Sequence, residues 1–325
     1  MLDNFPRNRI LRKNQVIRDL IAEHSILPQS LIYPIFICEF EDDAIEISSM
    51  KGIFRHTIHD AVKEIKKAKQ LGIMSFMLFP YIPSSQKDDI GSLAINENNI
   101  ICKAIKSIKD SHPDILLITD IALDPYTSHG HDGVLTQNYI DIDNDKTLEI
   151  LQKQSIIQAK SGGDFMSPSD MMDGRVFAIR NALNENNFQN IGIISYSVKY
   201  SSSLYSPFRD AIGSGIKSGP VNKNTYQMDF RNSKIAIKST LDDIKQGADA
   251  IIIKPASFYL DIIKSISSQI NIPILAYQVS GEYVMIKNYS PDENIIKQLA
   301  LESLVCIKRA GATSIISYFA MQIFE

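Results

Sequence analysis

"STLDDIKQGADAIIIKP", residues 239–255, is a helical stretch that stops on a glycine and passes into a strand. Gly247 is the stop signal, because a helix C-terminus favours a residue that tolerates the left-handed conformation. Residues Ala250 to Ile253 then run apolar without alternation, the pattern of a strand covered on both faces. The same pairing of elements repeats along the chain. Strand segments are read at 31–38, 73–80, 115–123, 164–168, 191–198, 249–255, 272–280 and 312–320. Helical segments are read at 60–72, 145–163, 239–249 and 293–312, and in the first of these Ala61, Ile65 and Ala68 share one face with lysines opposite. Eight such units without a break in composition predict an α/β fold, a closed (β/α)8 TIM barrel over residues 31–325.

Residues 1–30 lie outside that pattern and read as an N-terminal arm. Its Ile10, Leu11, Ile17, Leu20 and Ile21 need a cover, either the chain's own barrel or a neighbouring subunit. A Gly/Ser/Asn-rich stretch at 213–227 has the length and composition of an active-site lid.

The bulk properties exclude several classes of function. With 44% hydrophobic and 22% charged residues the 325-residue chain has enough apolar material for a large core. A formal net charge of -3, with both signs interspersed, argues against a nucleic-acid partner. No apolar run reaches the length of a membrane span or a signal-peptide core, so the expected location is the cytoplasm. Cys38, Cys102 and Cys306 are odd in number and far apart, which fits neither a disulfide framework nor a thiolate zinc site.

In a (β/α)8 barrel the C-terminal ends of the strands build the active site. The fifth strand segment ends on Lys199 and the sixth on Lys254. Two ammoniums at one buried rim are expected to lower each other's pKa, with burial lowering both further. A neutral lysine is a nucleophile for carbonyl compounds, so the pair predicts Schiff-base chemistry. After the third strand, "TDIALDPYTSHGHDG" (119–133) gathers Asp120, Asp124, His129, His131 and Asp132. These leave open a metal site, an acid–base cluster or a polar loop held by Asx and Ser turns; a metal there is Mg²⁺ rather than Zn²⁺, because carboxylates and hydroxyls dominate. Ser280 and Tyr318, closing the seventh and eighth strands, are donors for one substrate carboxylate, and Arg209 and Lys223 are cations for another.

The motifs "DPYTSHGHDG", "PSDMMDGRV", "SYSVKYSSSLYSPFRDA", "TYQMD", "GADAIIIKPASFYLDII", "YQVSGEY" and "KRAGATSIISYFA" closely resemble the porphobilinogen synthase (5-aminolevulinate dehydratase) family, in the family's order and over residues 6 to 323. The resemblance implies a hydro-lyase that condenses two 5-aminolevulinate molecules into porphobilinogen with loss of two waters, on the route to haem. It also implies assembly through the arms, commonly as a homo-octamer. It places the two Schiff-base lysines on Lys199 and Lys254. Ser280 and Tyr318 would hold the carboxylate of the substrate on Lys254; Arg209, Lys223 and Gln227 would hold that of the substrate on Lys199. Asp120 and Ser169 would position amino groups and transfer protons.

Three departures qualify the resemblance. Where many relatives carry a three-cysteine zinc site, this chain has Ala122, Asp124 and Asp132, which implies the zinc-independent branch, often activated by Mg²⁺ or a monovalent cation. Asp124 and Asp132 are the candidate metal ligands. Ser239 stands where relatives with an activating Mg²⁺ have a glutamate. The family's "KPGxPYLDI" reads "KPASFYLDI" here, with Ala256 and Phe258 beside Lys254, so a shifted turn and weakened activity are expected consequences. Other readings are a one-lysine aldolase on the same barrel and a non-catalytic relative that keeps the arm.

Overall fold

The structure is a computed structural model that describes residues 6–39, 44–138, 140–215 and 221–325. Residues 216–220 of the lid segment and 1–5 of the arm lie outside the described residues. Eight parallel strands are ordered by sequence: β1 (Leu31–Ile37), β2 (Ser75–Pro80), β3 (Leu116–Ile121), β4 (Phe165–Pro168), β5 (Gly192–Lys199), β6 (Ala250–Lys254), β7 (Ile274–Gln278) and β8 (Ser314–Ser317). Each pairs with the next, and β1 pairs with β8 through Leu31↔Ile315 and Ile32↔Ile316, so the sheet closes on itself. The strands are buried almost throughout, as their unbroken apolar runs require.

The helices form for local reasons visible in the sequence. The helix Ile58–Gln70 starts on Thr57, whose side chain accepts from the Asp60 N–H, and buries Ala61, Ile65 and Ala68 against the barrel. Gly72 follows it with φ 86°. Further helices relevant to the site are Arg175–Glu185, Ser206–Ile212, Lys234–Lys245 and Ser280–Lys287. The helix before β6 starts at Lys234, five residues earlier than the sequence segment, because "KIAIK" continues its buried face through Ala236.

One feature was not anticipated. A short antiparallel pair, Ile45–Glu46 with Phe54–His56, extends the sheet beside β1. It is anchored to the helix after β5, where Arg55 donates to the carbonyls of Asp210 and Ala211. The arm's apolar side chains are not fully covered by the chain's own barrel: Ile10 is 61% exposed, Leu11 54%, Leu20 83% and Ile21 47%. Of the two covers considered above, the chain's own barrel leaves about half or more of each of these four side chains uncovered. Among the described residues no helix is long and apolar enough to cross a membrane.

Candidate active site

Lys199 and Lys254 are the last residues of β5 and β6 and face each other in register. Both are buried, about 5% and 4% exposed. Their surroundings differ sharply. Lys199 Nζ donates to Asp132 Oδ1 at 2.9 Å and to the Ser169 carbonyl at 2.5 Å. Burial pulls its pKa down, but Asp132, Asp124 and Asp120 outweigh burial and hold it above the ordinary lysine value. This corrects the expectation that both lysines are lowered. The carboxylate responsible reaches in from the loop after β3, where spacing along β5 and β6 gives no sign of it.

Lys254 has no ion pair among the described residues. Its Nζ sits among four aromatic rings, 4.6 Å from Phe208, 4.7 Å from Tyr277, 5.0 Å from Tyr205 and 5.3 Å from Tyr196. Burial in that cage, with the Lys199 charge nearby, lowers its pKa to about 7. A large part of this amine is neutral near pH 7.

Asp132 is the electrostatic centre of the other half. Its second oxygen accepts from Lys223 Nζ and from the Tyr226 hydroxyl, each at 2.8 Å. Burial would raise its pKa, yet the charges of Lys199 and Lys223 hold it well below the usual carboxylate range. Asp124 lies 3.8 Å from Lys223 and is raised, chiefly by burial and then by the Asp132 charge. Asp120, on β3, is raised to about 7 by burial and by Asp124, with Lys199 and the neighbouring Ser169 acting the other way. Ser169 follows β4 and donates its backbone N–H to Ile121 at 3.0 Å.

The carboxylate-binding candidates fall on two sides. Tyr318 shares a 3.0 Å hydroxyl contact with Tyr277, one of the rings around Lys254. Ser280 Oγ accepts from the Phe208 N–H at 3.0 Å and donates to the Leu204 carbonyl at 3.2 Å. Gly281 makes that approach possible, since a Cβ there would stand 2.6 Å from the Leu204 backbone. Arg209 and Lys223 line a cavity of about 540 Å³, with Phe258 at its edge. Gln227 is buried and its side-chain oxygen has no hydrogen-bond partner among the described residues.

Asp124 and Asp132 do not fit a Mg²⁺ site. Both oxygens of Asp132 already accept from ammonium or phenol donors, and the Lys223 ammonium lies 3.8 Å from Asp124. Among the described residues no group of three or more His, Cys, Asp or Glu is placed to hold a metal ion. His129 contacts the Asp89 carbonyl and His131 the Tyr226 hydroxyl, so neither joins the carboxylates. Ser239 lies in the helix Lys234–Lys245, beside a separate cavity of about 510 Å³.

The sequence reading passed over the ring cage, Tyr226 and Glu282. Glu282 accepts from the backbone N–H groups of Ser257 at 2.5 Å, Val279 at 2.6 Å and Ala256 at 3.4 Å. It thereby ties the turn after Lys254 to the helix that begins with Ser280. Ala256 is fully buried in this turn and Phe258 points outward, 65% exposed.

A family model for delta-aminolevulinic acid dehydratase matches residues 5–325. The chloroplastic delta-aminolevulinic acid dehydratase 1 of Arabidopsis thaliana is 44% identical over 318 residues, covering 97% of this chain and 73% of that protein. The delta-aminolevulinic acid dehydratase of Staphylococcus epidermidis is 42% identical over 320 residues, covering 98% of both. The crystal structure of delta-aminolevulinic acid dehydratase (porphobilinogen synthase) from Toxoplasma gondii ME49, in complex with the reaction product porphobilinogen, aligns with a TM-score of 0.95 at 40% identity, covering 100% of this chain and 92% of that one.

Proposed function

The chain belongs to the delta-aminolevulinic acid dehydratase family, and from that premise we propose how its site works. It condenses two 5-aminolevulinate molecules into porphobilinogen and releases two waters, as a hydro-lyase. The observation that carries the reading is the in-register pair Lys199 and Lys254 at the C-terminal rim of a closed barrel.

Each lysine condenses with one ketone, and each imine releases one water. Two imines held side by side turn the later steps into intramolecular ones. The carbon next to the Lys199 imine forms the C–C bond to the Lys254 imine carbon. The amino group of the Lys254-bound substrate then attacks the other imine carbon and displaces Lys199. Expulsion of Lys254, with loss of a proton, gives the pyrrole and returns both amines.

The residues support a division of labour. Lys254, lowered to about 7, is ready to attack as a neutral amine. Lys199 rests as an ammonium against Asp132 and must give up a proton first. Asp120, raised to about 7, is poised to accept and return protons near neutrality, with Ser169 beside it. Ser280 and Tyr318 lie on the Lys254 side for one carboxylate. Arg209, Lys223 and Gln227 serve the other, with Lys223 transferring from Asp132 to the incoming anion.

We further propose that this chemistry needs no zinc, because Ala122, Asp124 and Asp132 bring no thiolate to the loop after β3. Any activation by Mg²⁺ acts away from Asp124 and Asp132. The exposed apolar arm supports assembly through neighbouring subunits, as a homo-octamer by family resemblance. Three cysteines without a pairing pattern support a reducing compartment, the cytoplasm.

The test is incubation with 5-aminolevulinate and an assay for the pyrrole, in EDTA and then with added Mg²⁺. Product in EDTA is the expected result. Stoichiometric zinc in the purified protein, lost together with activity on chelation, would overturn the zinc-free reading. Absence of pyrrole under every metal condition would overturn the synthase reading.

A further inference from the structure

The strand that carries Lys199 is not regular. Ile194 and Ser195 pair with Ala250 and Ile251, but Val198 and Lys199 pair with Ile253 and Lys254. Tyr196 and Ser197 together therefore oppose the single residue Ile252, which is a β-bulge. The bulge decides which side chains enter the barrel. Successive residues of a regular strand point to opposite faces, so two positions three apart cannot both face inward. Tyr196 and Lys199 are three apart and both do: the Tyr196 ring lies 5.3 Å from Lys254 Nζ, and Lys199 reaches Asp132. Ser195 faces the helix layer instead, with its hydroxyl 2.7 Å from Asp243.

A buried cation sits on the outer side of this bulge. Arg175, at the start of the helix after β4, donates from Nη2 to the Tyr196 carbonyl at 3.0 Å, to Ser195 Oγ at 3.3 Å and to Asp243 at 3.1 Å. Its Nη1 donates to the Met172 carbonyl at 3.2 Å, and Asp170 lies 3.9 Å from its Nε. The side chain is only 5% exposed. A buried guanidinium is expensive to desolvate and is weak evidence for stability as such. Its planar fork, however, holds the bulge carbonyl and Asp243 from Nη2 and the Met172 carbonyl from Nη1 in one fixed geometry.

We infer that Arg175 is a positioning residue for Lys199: by holding the Tyr196 carbonyl at the bulge, it keeps β5 in the register that turns Lys199 into the barrel beside Lys254. The inference rests on the imine reading of both lysines. Lys254 is on a different strand whose pairing with β7 is regular, so its orientation does not depend on the clamp.

The test is site-resolved trapping. Full-length protein is incubated with 5-aminolevulinate and borohydride, digested, and the reduced adducts on the Lys199 and Lys254 peptides are quantified by mass spectrometry. Wild type is expected to carry both adducts. Arg175→Met is expected to lose about tenfold or more of the Lys199 adduct relative to the Lys254 adduct, with kcat falling in step. Arg175→Lys keeps the charge beside Asp243 and is expected to show the same bias to a smaller extent. Should Arg175→Met fail to fold, Arg175→Lys decides. Equal adduct ratios in wild type and the folded variants would overturn the positioning role and leave the imine reading intact. No adduct on either lysine of wild type would overturn the imine reading and the inference with it.

Discussion

Lys199 and Lys254 end neighbouring strands at the same height and are equally buried, yet one is held as an ammonium and the other, lowered to about 7, is partly neutral at pH 7. The difference lies in what surrounds each amine. Asp132 and a backbone carbonyl bind Lys199, whereas four rings enclose Lys254 with no carboxylate in ion-pair reach among the described residues. Burial alone does not set a lysine's charge. Burial without a counter-ion lowers the pKa, and burial with one raises it. The site thereby separates one amine ready to attack from one that must first be deprotonated.

Removing either lysine is the severest test of this comparison. Lys254→Ala and Lys199→Ala should each lower pyrrole formation on the order of 10⁴-fold or more, since one substrate loses its tether. Lys199→Ala should still trap substrate on Lys254. A variant of either kind that kept most of its activity would break the two-amine mechanism.

Asp132→Asn attacks the Lys199 half alone. It leaves Lys199 and Lys223 without their shared counter-ion and should cost about 3 kcal/mol of stability in a denaturant melt. It should also bring the Lys199 pKa down toward that of its neighbour. An unchanged melting midpoint would show that the ion-paired cluster is not the ground state.

The pH profile sharpens the contrast further. Trapping at Lys254 should rise about tenfold per pH unit up to about 7 and level off above it, while trapping at Lys199 should show no plateau there. Folding should respond as well. Lys254 is lowered from 10.5 to about 7, so the folded state binds fewer protons than the unfolded state in that window, and stability rises with pH across it. Asp120 is raised from 3.8 to about 7, so its contribution to stability falls as pH rises toward 7. Together the two groups should produce a dip in stability near pH 7. Equilibrium unfolding across pH 5 to 9 measures it, and a maximum at that point attributable to these two groups would contradict the assignments.

Tyr318→Phe should have the smallest effect. It removes one hydroxyl on the Lys254 side, and KM for 5-aminolevulinate should rise about three- to tenfold with kcat little changed. A fall in kcat at constant KM would move Tyr318 from carboxylate binding to the chemistry.

Much of the fold was legible because its signal is local. The eight strands are apolar runs, those of β2, β4, β6 and β8 each entered from a glycine turn, and each was found within a few residues of its true limits. The pair Ile45–Glu46 and Phe54–His56 was not found, because strands of two and three residues leave no periodicity to read. The lysines and their side of the barrel were legible for a topological reason, since strand ends share one rim. The rings around Lys254 were not, because they come from β5, from the turn and helix after it, and from β7. Asp132 stands 67 residues before Lys199, and nothing in the spacing says that it reaches that amine rather than a metal ion.

The sequence by itself determined the barrel, the two amines at its rim and the family. Apolar period, glycine stops and long ordered motifs are all properties of contiguous residues. Only the tertiary structure decided which amine carries the proton, which carboxylate holds it there, and how Tyr196 and Lys199 both come to face inward. Those outcomes depend on charges and hydrogen bonds between segments far apart in the chain, and on one inserted residue in a strand. Coulomb energies and register are set by distance in space, which chain order does not encode.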